Sequence, residues 1–309
     1  MIKFSQAPGG RASFPYKGKT LDDLPASLRQ LAEPALGPKE SINSIFVAPA
    51  QWFAGRSWFG GRYVPDQALL FTPGGVLHVQ APVPRGQEAR VTYLRGDDLL
   101  YAQLSLLLLY GRLELAGQVS GALARVVVEF NTVSDFLLRP PLREFLRATW
   151  GQTETEKLNK KVTARVMDEL ERLPSLKFKN GLRIHGLQPA ECLLGFVFQP
   201  GLWTPWWRFF WRQVSATTLL ALTDRQLIIL EEERNGQRTA YGWIVTFCPR
   251  VCLAGLEYKP GEQWHELHVR LAREGVATKR QVILAPETAL AWQELWRRYS
   301  AVSITEAAG

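Results

Sequence analysis

Apolar and polar residues alternate with a period of two along most of the chain. The clearest instance is 124–130, where Ala124, Val126, Val128 and Phe130 share one strand face and Arg125 and Glu129 take the other. Strand-like runs follow one another at 41–48, 67–72, 75–81, 89–95, 99–107, 111–116 and 124–131. Thr72-Pro73-Gly74-Gly75 suits a tight turn, because proline presets the first corner and glycine tolerates positive φ at the next. A helical period appears at 21–35 through Leu24, Leu28 and Leu31, and Pro140-Pro141 are read as opening a helix that ends near Trp150. The polar helix expected at 154–173 has an apolar stripe only one residue wide (Leu158, Val162, Val166, Leu170, Leu173), which suits a helix lying against one neighbour or bridging two domains. Seven further strand-like runs occupy 192–199, 217–223, 226–231, 239–247, 251–258, 264–271 and 280–284, and a last helix spans 286–299.

The two series superpose at a constant offset of 151 through their first two strands and the loop between. Leu36, Pro38, Glu40, Pro49, Trp52, Leu69 and Thr72 fall on the identical residues Leu187, Pro189, Glu191, Pro200, Trp203, Leu220 and Thr223, and Trp58-Phe59 falls on Phe209-Phe210. An internal repeat changes the expected architecture more than any single motif does. The expected organisation is a mobile tail at 1–20, one module at 21–150, a helical linker at 151–175 and a second module at 176–309.

Seven antiparallel strands followed at once by one helix resemble the pleckstrin-homology-like (PH-like) modules of bacterial proteins. The resemblance implies an α+β, mostly β fold: two partly open barrels, each of seven strands with a C-terminal helix, joined by the helical linker. It also implies binding and not catalysis. In membrane-binding members of that superfamily, the loop between the first two strands meets the lipid. Here that loop carries Trp52, Phe53, Arg56, Trp58, Phe59 and Arg62 in the first module. In the second it carries Trp203, Trp206, Trp207, Arg208, Phe209, Phe210, Trp211 and Arg212. The chain departs from the phosphoinositide-binding pattern, since Lys39 is the only basic residue beside the first strand of the first module.

Two destinations suit these loops. Tryptophan favours the headgroup layer and arginine an anionic surface, so the first is peripheral contact with an anionic membrane. The second is a protein-protein interface, with a partner or within a homo-oligomer, where aromatic and arginine side chains are also enriched. Nucleic acid is disfavoured, because neither loop carries lysine and no RNA-binding signature is present.

Composition narrows the setting. The 309 residues carry a net charge of +8, which admits anionic partners without choosing among them. Three cysteines at irregular spacing do not make a disulfide framework, and the first residues lack the apolar core of a secretory signal, so the expected location is cytoplasmic, peripheral on the inner face of the membrane. The longest apolar run, 99–110, is about half a bilayer span.

No cofactor, metal or catalytic constellation is expected. Cys248 and Cys252 with His265 and His268 have spacing close to that of a zinc finger, but strand alternation sends the two histidines to opposite faces. His78 and His185 accompany no nucleophile elbow, Asp97-Asp98 reads as a turn, and Gly18-Lys19-Thr20 lacks the upstream glycine of a phosphate loop.

Overall fold

The computed structural model describes residues 14–37, 40–53, 62–83, 86, 88–150, 156–189, 191–207, 210–232, 242–299 and 304–306, with backbone only at 156–161, 206–207 and 304–306. The protein is mostly β, and among the described residues no sheet closes on itself. It divides into two compact units that are not consecutive lengths of chain: Met1–Leu99 with Leu108–Val119 and Ala124–Thr149, and Leu100–Leu107 with Ser120–Leu123 and Trp150–Gly309.

The first unit opens with β1 (Tyr16–Gly18) and α1 (Ala26–Ala32). β1 lies in what the sequence presents as a tail, yet it pairs with β2 (Ser44–Ala48); main-chain pairing along three residues leaves no periodic trace. The helix expected across 21–35 is a single α-helical stretch between two 3-10 turns, because Pro25 caps its start and Pro34 lies in the turn that ends it. After β2 come the short hairpin strands β3 (Gln51–Phe53) and β4 (Arg62–Val64), then β5 (Gln67–Phe71), β6 (Gly75–Gln80) and β7 (Arg90–Arg95). The sheet order is β1-β2-β5-β6-β7. Strand alternation gives that sheet two different faces. Ile45, Val47, Ala68, Leu70, Leu77 and Val79 pack under Leu24, Leu28 and Ala32 of the α1 region.

After β8 (Leu99–Leu107), the first unit continues with β9 (Tyr110–Val119), β10 (Ala122–Asn131) and α2 (Asp135–Thr149). The opposite face of the sheet meets these elements, with Phe46 edge-on to Phe130 at 5.4 Å and Phe71 edge-on to Phe145 at 6.3 Å. Pro140 and Pro141 lie inside α2 and do not open it, which removes two backbone donors. The buried stripe of Leu138, Leu142, Phe145 and Leu146 carries the helix through them.

In the second unit α3 (Glu156–Glu171) and α4 (Leu176–Gly181) precede β11 (Leu193–Gln199). Val166 and Leu170 of α3 are buried, which accounts for its narrow apolar stripe, and Thr163 donates to the Leu193 carbonyl at 3.2 Å. The hairpin strands β12 (Leu202–Trp207) and β13 (Phe210–Ser215) follow. Beyond them come β14 (Thr218–Thr223), β15 (Gln226–Glu232), β16 (Gly242–Pro249), β17 (Leu253–Lys259), β18 (His265–Arg273), β19 (Val276–Leu284), α5 (Pro286–Tyr299) and β20 (Ile304–Glu306). Trp292 and Trp296 of α5 are fully buried, and a Cβ at Gly195 of β11 would collide with Leu295, so the helix needs glycine there to sit down on the strand.

β8 pairs antiparallel with β16 inside the second unit, from Ala102 opposite Phe247 to Leu107 opposite Gly242. Gln103 donates to Thr246 at 2.9 Å, and the Arg280 guanidinium stacks over Tyr101 at 4.2 Å. Leu99 through Ala102 are completely buried, so the longest apolar run of the chain is a strand covered on both faces.

Each half thus contains a short helix, four strands interrupted by a hairpin after the first, three strands, and a helix. The repeat extends to single hydrogen bonds. Thr72 donates to Glu40 at 2.7 Å and accepts from the Gly75 amide at 3.1 Å. At the positions 151 further on, Thr223 donates to Glu191 and accepts from the Gln226 amide at 2.9 Å.

Candidate functional site

The aromatic segments predicted as loops are antiparallel hairpins standing between the first and second main strands of each half. In the first, Gln51 pairs with Val64, Trp52 with Tyr63 and Phe53 with Arg62. Trp52 is 43 % exposed, whereas Phe53 is turned edge-on to Tyr110 at 5.2 Å. Arg62 is tied down by an ion pair with Glu129, which also accepts from the Tyr110 hydroxyl. Arg56, Trp58 and Phe59 lie outside the described residues.

The second hairpin has longer paired strands. Trp203 pairs with Gln213, Thr204 with Arg212 and Pro205 with Trp211, so Trp203, Pro205 and Trp211 share one face. Trp203 and Trp211 are 57 % and 64 % exposed on that face, while Phe210, 55 % exposed, and Arg212, also exposed, alternate onto the other. These rings are not folded into a core. Trp206 and Trp207 belong to β12 with no account of their side chains, and Arg208 and Phe209 lie outside the described residues.

A second feature was not foreseen from sequence: a cleft of about 600 Å³ in the first unit. Strand register builds it. On the sheet face away from α1, successive cross-strand rows read Phe71-Val76-Leu94, then Leu69-His78-Thr92, then Gln67-Gln80-Arg90. The face therefore passes from apolar beside α2 to polar at its far end. Arg62 of the hairpin, Arg112 of β9, and Arg125 and Glu129 of β10 complete the lining. His78 and Gln67 are each 4 % exposed, and neither His78 Nε2 nor Gln67 Oε1 has a hydrogen-bond partner among the described residues. Burial, with Arg90 adding repulsion, pushes the His78 imidazole down to about 4, so it is neutral at ordinary pH. The available signal was three polar side chains on the inward alternation of β5 and β6; strand patterning alone does not say which face is lined by protein.

The remaining candidate groups have structural surroundings. The Lys19 and Thr20 amides donate to the Asp23 carboxylate at 2.8 and 3.0 Å, so the Gly18-Lys19-Thr20 backbone caps a turn. Asp97 and Asp98 form a 3-10 turn, with Arg95 at 3.9 Å from Asp98. Cys192, Cys248 and Cys252 are buried free thiols, and burial pushes Cys248 up to about 12, which suppresses thiolate chemistry. His268 is buried and meets Glu266 at 3.0 Å, and among the described residues no three histidine, cysteine or acidic side chains gather as a metal would require. Among the described residues no helix is long and apolar enough to cross a membrane.

Comparison of the sequence with protein-family models and with curated proteins gives no match, so the functional reading rests on the geometry of the two hairpins and the cleft.

Proposed function

We propose that this protein is a non-enzymatic peripheral binding protein, made of two PH-like modules whose aromatic hairpins dock on an anionic membrane surface. The element order supports the modular reading: four strands, three strands and a closing helix, twice over. The observation that carries the docking role is the β12-β13 hairpin, which holds Trp203, Phe210 and Trp211 in solvent with Arg212 alongside. Half-burying three such rings is worth roughly 5 kcal/mol or more before ordering costs, at about 25 cal/mol per Å² and about 150–250 Å² per ring. Each arginine near an anionic leaflet adds about 1 kcal/mol. The location this reading implies is the inner face of a membrane.

Co-sedimentation of the full chain with vesicles containing phosphatidylserine tests it. Binding is expected to fall at least tenfold in Trp203→Ala/Trp211→Ala and to weaken with salt. Indifference to vesicles, together with a dimeric mass in light scattering that the same double variant returns to monomer, would transfer the hairpin to a protein interface.

A further inference from the structure

We propose that the polar cleft of the first unit binds a small soluble phosphate monoester with a hydroxylated, uncharged body, of which a sugar phosphate is the simplest example. Charge sets the anionic end of the ligand. Four guanidiniums line the cleft, but Arg62 is paired with Glu129 and Arg112 with Glu114. Arg90 and Arg125 are exposed and make no ion pair or hydrogen bond among the described residues. Two uncompensated cations, one from each of two sheets, match one dianion, and the planar donor fork of arginine suits phosphate oxygens.

The floor sets the rest of the ligand. His78 and Gln67 line the floor, and just beneath its surface the neutral ring nitrogen Nε2 and the amide oxygen Oε1 are sealed from solvent and find no partner among the described residues. Buried polar groups left this way destabilise the free protein, so a ligand that supplies hydroxyls relieves a standing penalty. Neutral groups do not call for a second charge, and a space of about 600 Å³ is far larger than one phosphate and within the usual range of small-molecule sites. No described residue of the β12-β13 hairpin lines the cleft, so this site and membrane docking through Trp203 and Trp211 can fail independently.

Isothermal titration calorimetry of the full chain with glucose 6-phosphate, inorganic phosphate and glucose tests the assignment. Glucose 6-phosphate is expected to bind at least tenfold more tightly than phosphate, and glucose not measurably. Arg90→Gln/Arg125→Gln should weaken glucose 6-phosphate by about a hundredfold, while a circular-dichroism melt shows the variant folded. His78→Leu should weaken glucose 6-phosphate about tenfold and leave phosphate unchanged, which separates floor from rim. Trp203→Ala/Trp211→Ala should bind glucose 6-phosphate as the parent does. Absence of heat at millimolar glucose 6-phosphate, or undiminished affinity in the double arginine variant, would overturn the proposal. So would arginine-dependent sedimentation with phosphatidic acid vesicles that glucose 6-phosphate fails to displace, since the phosphate would then belong to a lipid.

Discussion

The same end of the matched strands, β2, β5 and β6 in the first half and β11, β14 and β15 in the second, is built differently in the two halves. In the first, Gln67, His78 and Gln80 line a cleft, and Gln67 Oε1 and His78 Nε2 have no hydrogen-bond partner among the described residues. In the second, the positions of Gln67 and His78 are held by Thr218 and Ile229, and the polar groups are consumed internally. Gln199, 1 % exposed, donates to the Ile283 carbonyl at 2.9 Å and accepts from the Ala285 amide at 2.6 Å, while Ser215 donates to Ile283 at 3.0 Å. Ala48 stands where Gln199 would be in the first half, so no such staple forms there. One copy of the scaffold uses its polar residues to hold strands together, and the other leaves two of them, Gln67 and His78, buried with an unmet polar atom each.

The largest expected effect tests the staple. Gln199→Leu strands the Ala285 amide and removes a donor from the Ile283 carbonyl, and each buried unmet group costs about 1–3 kcal/mol. A loss of about 3 kcal/mol in urea unfolding is expected, with an unchanged slope. A loss below about 0.5 kcal/mol would mean that the second half is not held at this end by Gln199.

A second contrast lies in the matched carboxylates. Glu191 is buried, and that burial pushes its carboxyl up to about 7 despite hydrogen bonds from Thr223, the Gln188 amide and Gln226. The single Thr223 proton also has the Gln226 carbonyl at 3.0 Å, and a protonated Glu191 removes the competition by donating to Thr223 itself. A folded pKa above the unfolded one means that the folded protein holds a proton the unfolded chain has lost. Stability therefore falls as pH rises from about 4.5 to about 7, by about 3 kcal/mol, and is flat beyond. Glu191→Gln imitates the protonated acid. It should match the parent at pH 4 and exceed it by about 3 kcal/mol at pH 8 in unfolding experiments. Parallel pH profiles for the two proteins would contradict the buried-acid assignment.

The sequence reveals most of the strands because burial enforces alternation, and alternation survives any tertiary arrangement. It does not reveal β8 as a member of the second unit. Leu99 to Leu107 are mostly apolar, broken only by Gln103 and Ser105, and such a run states only that both faces are covered, without naming the neighbour. The aromatic segments were legible as a surface because Trp203 and Trp211 have no polar alternation to hide in; that they form paired hairpins was not, since Pro205 sits within a strand. The cleft depends on cross-strand rows such as Gln67-Gln80-Arg90, which exist only after register is fixed.

Smaller, and opposite in sign to the Gln199 loss, is the effect of His78→Leu. Replacing an unpartnered buried imidazole by an alkyl group removes its desolvation penalty, so a gain of about 1 kcal/mol is expected in the same urea assay. A loss of 1 kcal/mol or more would mean that His78 holds the sheet together as Gln199 does. The contrast between an open end and a stapled end would then collapse.

The smallest effect concerns Glu40, the counterpart of Glu191. Partial burial pushes its carboxyl up, but the Tyr93 hydroxyl, Thr72 and the Gly37 backbone together hold it below the ordinary value. Deeper burial of Glu191 is the main difference between the nodes, and Tyr93 adds to it: by strand register Phe247 occupies the matching position in the second half, so Glu191 has no second hydroxyl to hold its charge. A lowered folded pKa contributes stability that is present above the unfolded value and is lost as pH falls through the folded one, so Glu40 acts in the acid limb below about pH 4.5. Solvent screening keeps the contribution well under that of Glu191. Tyr93→Phe should therefore shallow the loss of stability between pH 4.5 and pH 2 and leave the limb between 4.5 and 7 untouched, whereas Glu191→Gln does the reverse. Since the two nodes share no hydrogen-bond partner, the double variant should show both changes at once, each at full size.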